Sequence, residues 1–397
     1  MGRFRDALAR PGLQAIAEIK RRSPSAGDLR PDAEPSLLAP AFALAGAAAV
    51  SVLVDDRFGG SIDDLRAARA ATDVPIVGKG FFSEDAHVRE LAEAGADAFL
   101  LILRDLSDEQ VTRLRALGAE LGMDALIEAH DAAELERAIG LGADPLGVNC
   151  RDLVTLDIDR ARQLELVARA PRDRVVVAES GIWSRAQGAA AELAGASAVL
   201  VGSALMRSPD PAGKLTELVS RPLVKICGLT RQDDVQAVAE AGADMAGFIL
   251  AAETPRRAPG ILEVPETMLS VAVFVGEARE TGADLIQLYC RENGHRGRDA
   301  VLYRGADPVA SVLDLPWESG DAGHLDRAAA AAREQRVMLA GGLGPENVAA
   351  AIERVRPWAV DAASSLEIRP GVKDHDRVLA FVSAARGAVT GARVEKL

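Results

Sequence analysis

Up to about residue 205, short apolar or β-branched runs alternate with longer Ala-, Leu-, Glu- and Arg-rich amphipathic segments, the pattern of strand–helix units around a parallel sheet. Eight such runs are present: AIAEI (15–19), AVSVLVD (49–55), PIVGKGF (75–81), AFLLIL (98–103), DALIEAH (124–130), PLGVNCRDL (145–153), VVVAESGI (175–182) and AVLVGSAL (198–205). Eight units in this length predict a closed (β/α)₈ TIM barrel rather than an open doubly wound sheet, and no G-x-G-x-x-G follows the first run. A second series follows Ser220-Arg221-Pro222: LVKICGL (223–229), DMAGFIL (244–250), SVAVFV (270–275), LIQLYC (285–290), AVLYRG (300–305), SVLDL (311–315), RVMLAGGL (336–343) and WAVDAASS (358–365). This α/β chain therefore reads as two tandem barrels, 1–220 and 221–397. The halves also rhyme, with E-A-G-A-D at Glu93–Asp97 and again at Glu240–Asp244, each leading into a strand.

The middle of the second series breaks the pattern. Consecutive parallel strands need a crossover of about a dozen residues, usually a helix. Only 276–284, 291–299 and 306–310 separate its third to sixth runs. Shortened or missing helices are expected there, with a distorted barrel or displaced strands.

Composition narrows the class. Hydrophobic residues make up 49% and charged residues 26%, enough apolar material for two cores. The net charge of −13 lacks any dense Lys/Arg stripe, so nucleic acid is not an expected partner. No stretch approaches a membrane span, and the start lacks an uninterrupted apolar leader, so a cytoplasmic protein is expected. Cys150, Cys227 and Cys290 are widely spaced without a C-x-x-C pair, which argues against both a disulfide framework and a zinc site.

Catalytic groups of such barrels sit at strand carboxyl ends, so polar residues interrupting apolar runs are the candidates. In the first half these are Glu18 and Lys20 at i, i+2, Lys79, Glu128 with His130, Asn149 with Arg151, and Glu179 with Ser180. Each alone could be a salt-bridged residue at a strand mouth. Lysines and carboxylates gathered on one face instead suit acid–base work, because each shifts the other's pKa. Ser180-Gly181 and Gly202-Ser203 end runs seven and eight ahead of helices, where backbone N–H groups and hydroxyls suit a phosphate.

Together these segments, above all AEIKRRSPSAG (17–27), resemble indole-3-glycerol-phosphate synthase across residues 13–206. The resemblance implies decarboxylating ring closure of 1-(2-carboxyphenylamino)-1-deoxyribulose 5-phosphate without metal or cofactor. It implies Lys79 as general acid, Lys20 on the departing carboxylate, and Glu128 and Glu18 as candidates for base or electrostatic partner. Asn149, Glu179 and Ser180 would line the site, and Ser23, Gly181, Gly202 and Ser203 would hold phosphate. The chain has Lys79-Gly80-Phe81 where the family has K-D-F, and only about 14 residues precede the first run, where the family has a longer helical segment over the substrate.

KICGLTRQDDVQAVAEAGADMAGFIL (225–250), TPRR (254–257), LAGGLGPENV (339–348) and PGVKD (370–374) resemble phosphoribosylanthranilate isomerase. That family performs an Amadori rearrangement whose product is the first barrel's substrate. The resemblance implies Cys227 as base, Asp314 as acid, Arg256 facing the anthranilate carboxylate, and Gly341, Gly342 and Ser364 on phosphate. Gln287-Leu288-Tyr289-Cys290 stands where the family has Q-L-H-G. A buried small hydrophobe is the other reading of Cys227, and an ordinary loop aspartate that of Asp314. Because Asp314 follows the irregular sector, the expectation is weak or absent isomerisation, the second barrel then being a degenerate partner of the first. Some other phosphate-binding barrel enzyme is a further alternative, which the AEIKRRSPS motif argues against.

Overall fold

All eight apolar runs of the first half form parallel strands: β1 (Gln14–Ile19), β2 (Ala49–Leu53), β3 (Ile76–Lys79), β4 (Ala98–Ile102), β5 (Asp124–Ala129), β6 (Leu146–Asn149), β7 (Val176–Glu179) and β8 (Ala198–Val201). They pair in chain order and β8 returns to β1, closing the barrel. This computed structural model describes residues 2–151, 155–252, 254–292, 295–315 and 323–394. It divides into two units, Met1–Trp183 with Gly188–Val219 and Ser184–Gln187 with Ser220–Leu397.

Alternate residues of a strand face opposite ways. On β1, Ala15, Ala17 and Ile19 therefore join the apolar layer beneath the helices, whereas Ile16 joins the barrel interior with Val77, Leu126, Val177 and Leu200. Two residues further along the same interior faces come Glu18, Lys79, Glu128 and Glu179. The interior is thus apolar toward the strands' amino ends and charged at their carboxyl ends.

The outer helices are mostly amphipathic, and several of them are capped by side chains. They include α1 (Arg3–Leu8), α2 (Pro35–Leu44), α3 (Ile62–Ala71), α4 (Asp85–Glu93), α5 (Asp108–Glu120), α6 (Ala132–Gly140), α7 (Arg160–Arg169), α8 (Arg185–Ala194), α9 (Ser203–Met206) and α10 (Pro211–Val219). Ser61 with Asp64 and Ser107 with Gln110 form capping boxes that start α3 and α5. α1 differs from the rest. Its Gly2 and Arg5 amides donate to the Asp124 carboxylate at the start of β5, and its Phe4 and Leu8 fill the interior from the amino-end face. The segment before β1 therefore lies at the end of the barrel away from the charged mouth.

The second unit also closes eight strands in chain order: β9 (Leu223–Cys227), β10 (Met245–Ile249), β11 (Leu269–Val275), β12 (Leu285–Glu292), β13 (His295–Arg304), β14 (Asp307–Asp314), β15 (Val337–Ala340) and β16 (Ala359–Ala362). Helices α11 (Gln232–Glu240), α12 (His324–Glu334), α13 (Val348–Val355) and α14 (His375–Val394) cover part of it. Among the described residues, no helix lies between β10 and β14. One expectation is corrected here: β13 runs antiparallel to both β12 and β14. Antiparallel neighbours need no crossover, so the short connections around β13 suffice. β14 returns to the parallel direction beside β15, so the carboxyl end of β14 again faces the mouth.

From β11 to β12 the chain passes back in parallel without a helix, and a side chain ties the connection down. The Asp284 carboxylate accepts from the Ser270 amide at 2.8 Å and its hydroxyl at 2.6 Å. Asp284→Ala is expected to cost this edge about 1–3 kcal/mol, measured as faster amide hydrogen exchange in β11 and β12. Unchanged exchange there would contradict the anchoring role.

Candidate active sites

Lys79 is the hub of the first mouth. Its Nζ lies 2.6 Å from Glu179 Oε2, 3.6 Å from Glu18 Oε2 and 3.7 Å from Glu128 Oε2. Lys20 Nζ sits 2.6 Å from Glu18 Oε1, so Glu18 bridges the two lysines. On the far side of Glu128, His130 Nε2 approaches Oε1 at 3.1 Å.

An ion buried without a partner costs several kcal/mol, so these charges fix one another's protonation. Burial opposes the charge on Lys79, but Glu179, Glu18 and Glu128 outweigh it and hold its pKa above the ordinary value. Burial would raise Glu18, and Lys20 and Lys79 instead bring it below the usual carboxylate range. Glu179 is pushed up to about 8 by burial, and Glu128's charge adds to the effect against the pull of Lys79. Glu128 resists burial through Lys79 and His130 and falls to about 2. Near neutral pH the mouth thus holds a charged lysine, ionised Glu18 and Glu128, and a proton on Glu179.

Two glycines make room for this cluster. A Cβ on Gly202 would overlap Glu18 Oε1 and stand 2.9 Å from Lys20 Nζ, and one on Gly147 would overlap Glu179 Oε1. Ser180 holds φ of 69°, an uncommon conformation for a non-glycine residue, at the turn after β7. One cavity is lined by Glu18, Lys20, Lys79, Glu128, Asn149 and Ser180, with Gly181, Gly202 and Ser203 at its edge beside β7 and β8. Ser23 does not line it; its hydroxyl is 3.5 Å from that of Ser25. Phe58, Phe81 and Trp183 add an aromatic wall; Phe58 ends a short 3-10 turn and Trp183 lies on a loop, beyond the runs that periodicity marks, and Phe81 closes the third run just past β3.

The second mouth is built on β9 with the same i, i+2 spacing. Lys225, fully buried, donates to Asp361 Oδ2 at 2.8 Å and to Gln287 Oε1 at 2.9 Å. Gln287 Nε2 donates to the Tyr289 hydroxyl at 2.9 Å, which donates to Asp314 Oδ2 at 3.3 Å. Burial pushes the Cys227 thiol up, and Lys225 counters part of that. Cys227, Asp314, Arg256, Gly341, Gly342 and Ser364 all line one cavity. Arg256 Nε is held at 2.8 Å by Glu367, which also meets Lys373 Nζ at 3.1 Å. The sequence reading passed over Lys225 and Asp361. Their signal was present: a lysine two residues before Cys227, and an aspartate interrupting the apolar run WAVDA.

Two closed eight-stranded barrels with acid–base groups at the carboxyl ends and glycine- and serine-bearing turns after strands seven and eight define a pair of phosphate-handling barrel enzymes. More specifically, the chain belongs to the indole-3-glycerol phosphate synthase family, whose model matches residues 2–218, and the model of N-(5'-phosphoribosyl)anthranilate (PRA) isomerase matches residues 302–384. It is 49% identical to an indole-3-glycerol phosphate synthase of Nocardioides over 52% of this chain and 80% of that protein. It is 45% identical to indole-3-glycerol phosphate synthase 2 of Streptomyces coelicolor over 54% of this chain and 84% of that protein. A multifunctional tryptophan biosynthesis protein of Schizosaccharomyces pombe is 30% identical over 96% of this chain and 61% of its own length. The chain is thus a fusion of a synthase-family and an isomerase-family domain.

Gly202→Ala would push Glu18 and Lys20 out of register with Lys79. Misplacing a catalytic group by about 1 Å can cost ~10²-fold, so first-barrel turnover is expected to fall about 10- to 100-fold while the thermal midpoint stays close to that of the parent. Turnover equal to the parent's would show that the pair's position does not matter.

Proposed function

We propose that the first barrel converts 1-(2-carboxyphenylamino)-1-deoxyribulose 5-phosphate to indole-3-glycerol phosphate, carbon dioxide and water. The observation that carries this reading is a charged lysine, Lys79, surrounded by Glu18, Glu128 and Glu179 in a mouth with a phosphate-type edge and an aromatic wall. Lys79 gives a proton to the substrate carbonyl oxygen as the ring carbon bonds to the carbonyl carbon. Lys20, held by Glu18, binds the carboxylate that leaves as carbon dioxide. Glu128 then takes a proton from the adjacent ring carbon while Lys20 gives one to the new hydroxyl, which departs as water, with Glu18 as the electrostatic partner of the step. Asn149 and Ser180 line the reacting end with Glu179 buried behind Lys79, outside the cavity lining, and Gly181, Gly202 and Ser203 receive the phosphate through backbone amides and a hydroxyl.

In the second barrel the proposed reaction is the Amadori rearrangement of N-(5'-phosphoribosyl)anthranilate, whose product is the first barrel's substrate. Cys227 serves as base, Asp314 as acid and Arg256 as the carboxylate partner, with Gly341, Gly342 and Ser364 on the phosphate. Asp314 supports this reading over a non-catalytic partner, because after the antiparallel detour of β13 it still lines a cavity with Cys227. Both domains, dividing near residue 220, act on phosphorylated small molecules in the cytoplasm. Among the described residues, no helix is long and apolar enough to cross a membrane.

Each substrate supplied separately to the full chain tests both activities. Lys79→Ala should lower synthase turnover by at least ~10²-fold and leave isomerisation intact, and Cys227→Ala should do the reverse. Isomerisation below the usual enzyme range of roughly 1–10³ s⁻¹ in the parent chain would return the second barrel to a supporting role. Synthase turnover unaffected by Lys79→Ala would remove its assignment as general acid.

A further inference from the structure

His130 is a buried polar residue of the first mouth that the ring-closure steps leave without a role. It follows the last residue of β5, and Asp131 immediately caps α6 by accepting from the Glu134 amide at 2.8 Å. This tight strand-to-helix turn folds the first turn of α6 back over the imidazole. Glu134 Oε2 accepts from the His130 backbone amide at 2.7 Å and lies 3.1 Å from its Nδ1. Glu134 Oε1 is steadied by Arg104 Nε at 3.3 Å. On the other edge of the ring, Nε2 faces Glu128 Oε1 at 3.1 Å, and the whole side chain is only 3% exposed.

A neutral imidazole has one N–H donor and one acceptor nitrogen, so it can satisfy one carboxylate and must turn a lone pair toward the other. A carboxylate 3.1 Å from each ring nitrogen, in ion-pair contact at Nε2 and within hydrogen-bond reach at Nδ1, favours the doubly protonated ring. The groups around it agree: Glu128 on its own strand and Glu134 and Asp131 at the start of α6 are acidic, whereas Arg104 is engaged by Glu134. Arg151, which lines the same small pocket, donates to Ser25 Oγ and the Leu156 carbonyl. Burial works against the imidazolium, but Glu128 and Glu134 outweigh it and carry His130 up to about 9.

This clamp resolves an oddity of the mouth. Lys79 is closer to Glu179, at 2.6 Å, than to Glu128, at 3.7 Å, so the lysine alone would make Glu179 the stronger acid. Glu128, unlike Glu179, has a second cation behind it, and that cation favours its ionised form.

We propose that His130, as an imidazolium clamped between Glu134 and Glu128, is the positioning residue that keeps Glu128 ionised and leaves the shared proton on Glu179. The inference rests on the synthase reading of the first barrel, since it assigns which carboxylate acts as base. Without the imidazolium, Glu128 loses one of its two cations and its affinity for a proton rises, so more of the enzyme at low pH carries the wrong carboxylate protonated. The effect falls on the chemical step and not on phosphate binding at β7 and β8.

The test has two arms on the full chain. Nuclear magnetic resonance of ¹⁵N-labelled imidazoles, with the His130 signal assigned by its loss in His130→Asn, should show a ring that stays charged at pH 7.5. Glu134→Gln should lower its titration midpoint. In the kinetic arm, His130→Asn should reduce synthase kcat about tenfold or more, leave KM within about threefold and move the acid limb of the kcat profile to higher pH. Glu134→Gln, a surface-side change that spares the mouth, should weaken kcat in the same direction by a smaller factor. A neutral His130 at pH 7 overturns the proposal, and so does a kcat profile that His130→Asn leaves in place. If the parent chain shows no synthase turnover, the synthase reading fails by itself, and the resonance arm still decides whether the clamp exists.

Discussion

The first barrel depends on placing one ammonium group, that of Lys79, among three largely buried carboxylates at the floor of the mouth. None of these charges could be buried alone, and each is held by an opposite charge beside it. The requirement propagates outward. It fixes strand parity, because Glu18, Lys79, Glu128 and Glu179 reach the mouth only if Ile16, Val77, Leu126 and Val177 fill the layer beneath. It also fixes the glycines, since any side chain at 147 or 202 would enter the cluster. Even α1, whose Phe4 and Leu8 plug the opposite end, supports the arrangement by keeping the low-dielectric floor sealed.

The second barrel applies the same principle with less scaffolding. Its fully buried Lys225 is neutralised by Asp361 and held by Gln287, and that network runs through Tyr289 to Asp314. A barrel's interior is closed by its strands, so helices can be lost from one sector provided the ladder of backbone hydrogen bonds remains complete. Reversing β13 keeps the ladder complete without a crossover, and β14 still delivers Asp314 to the mouth. Tyr289, where the isomerase family has a histidine, supplies the hydroxyl that joins the two sides of this network.

Much of this was legible in the residues themselves. Buried parallel strands read as uninterrupted apolar runs, and every run corresponds to a strand, including those of the half-buried β13 and β14. The polar interruptions then marked Glu18, Lys79, Glu128, Glu179 and Cys227. Strand direction was not legible. A hydrophobic run has no polarity, so the shortness of 291–299 and 306–310 announced an irregularity without showing that β13 turns back. Nor could spacing along the chain show that His130 lies between Glu128 and Glu134, or that Lys225 pairs with Asp361 across 136 positions. Those contacts depend on barrel closure. Ser23 illustrates the converse: it belongs to the most specific motif of the chain, yet it stands outside the cavity lining.

The central claim is that the three carboxylates around Lys79 share a single proton and that Glu179 carries it near neutral pH. Infrared difference spectroscopy of the full chain, titrated between pH 6 and 9, observes that proton directly. The account predicts a protonated-carboxyl band at pH 7 that disappears around pH 8, where Glu179 gives up its proton, and is missing from Glu179→Gln. A spectrum with no protonated carboxyl at pH 7, or a band that survives unchanged in Glu179→Gln, would contradict it.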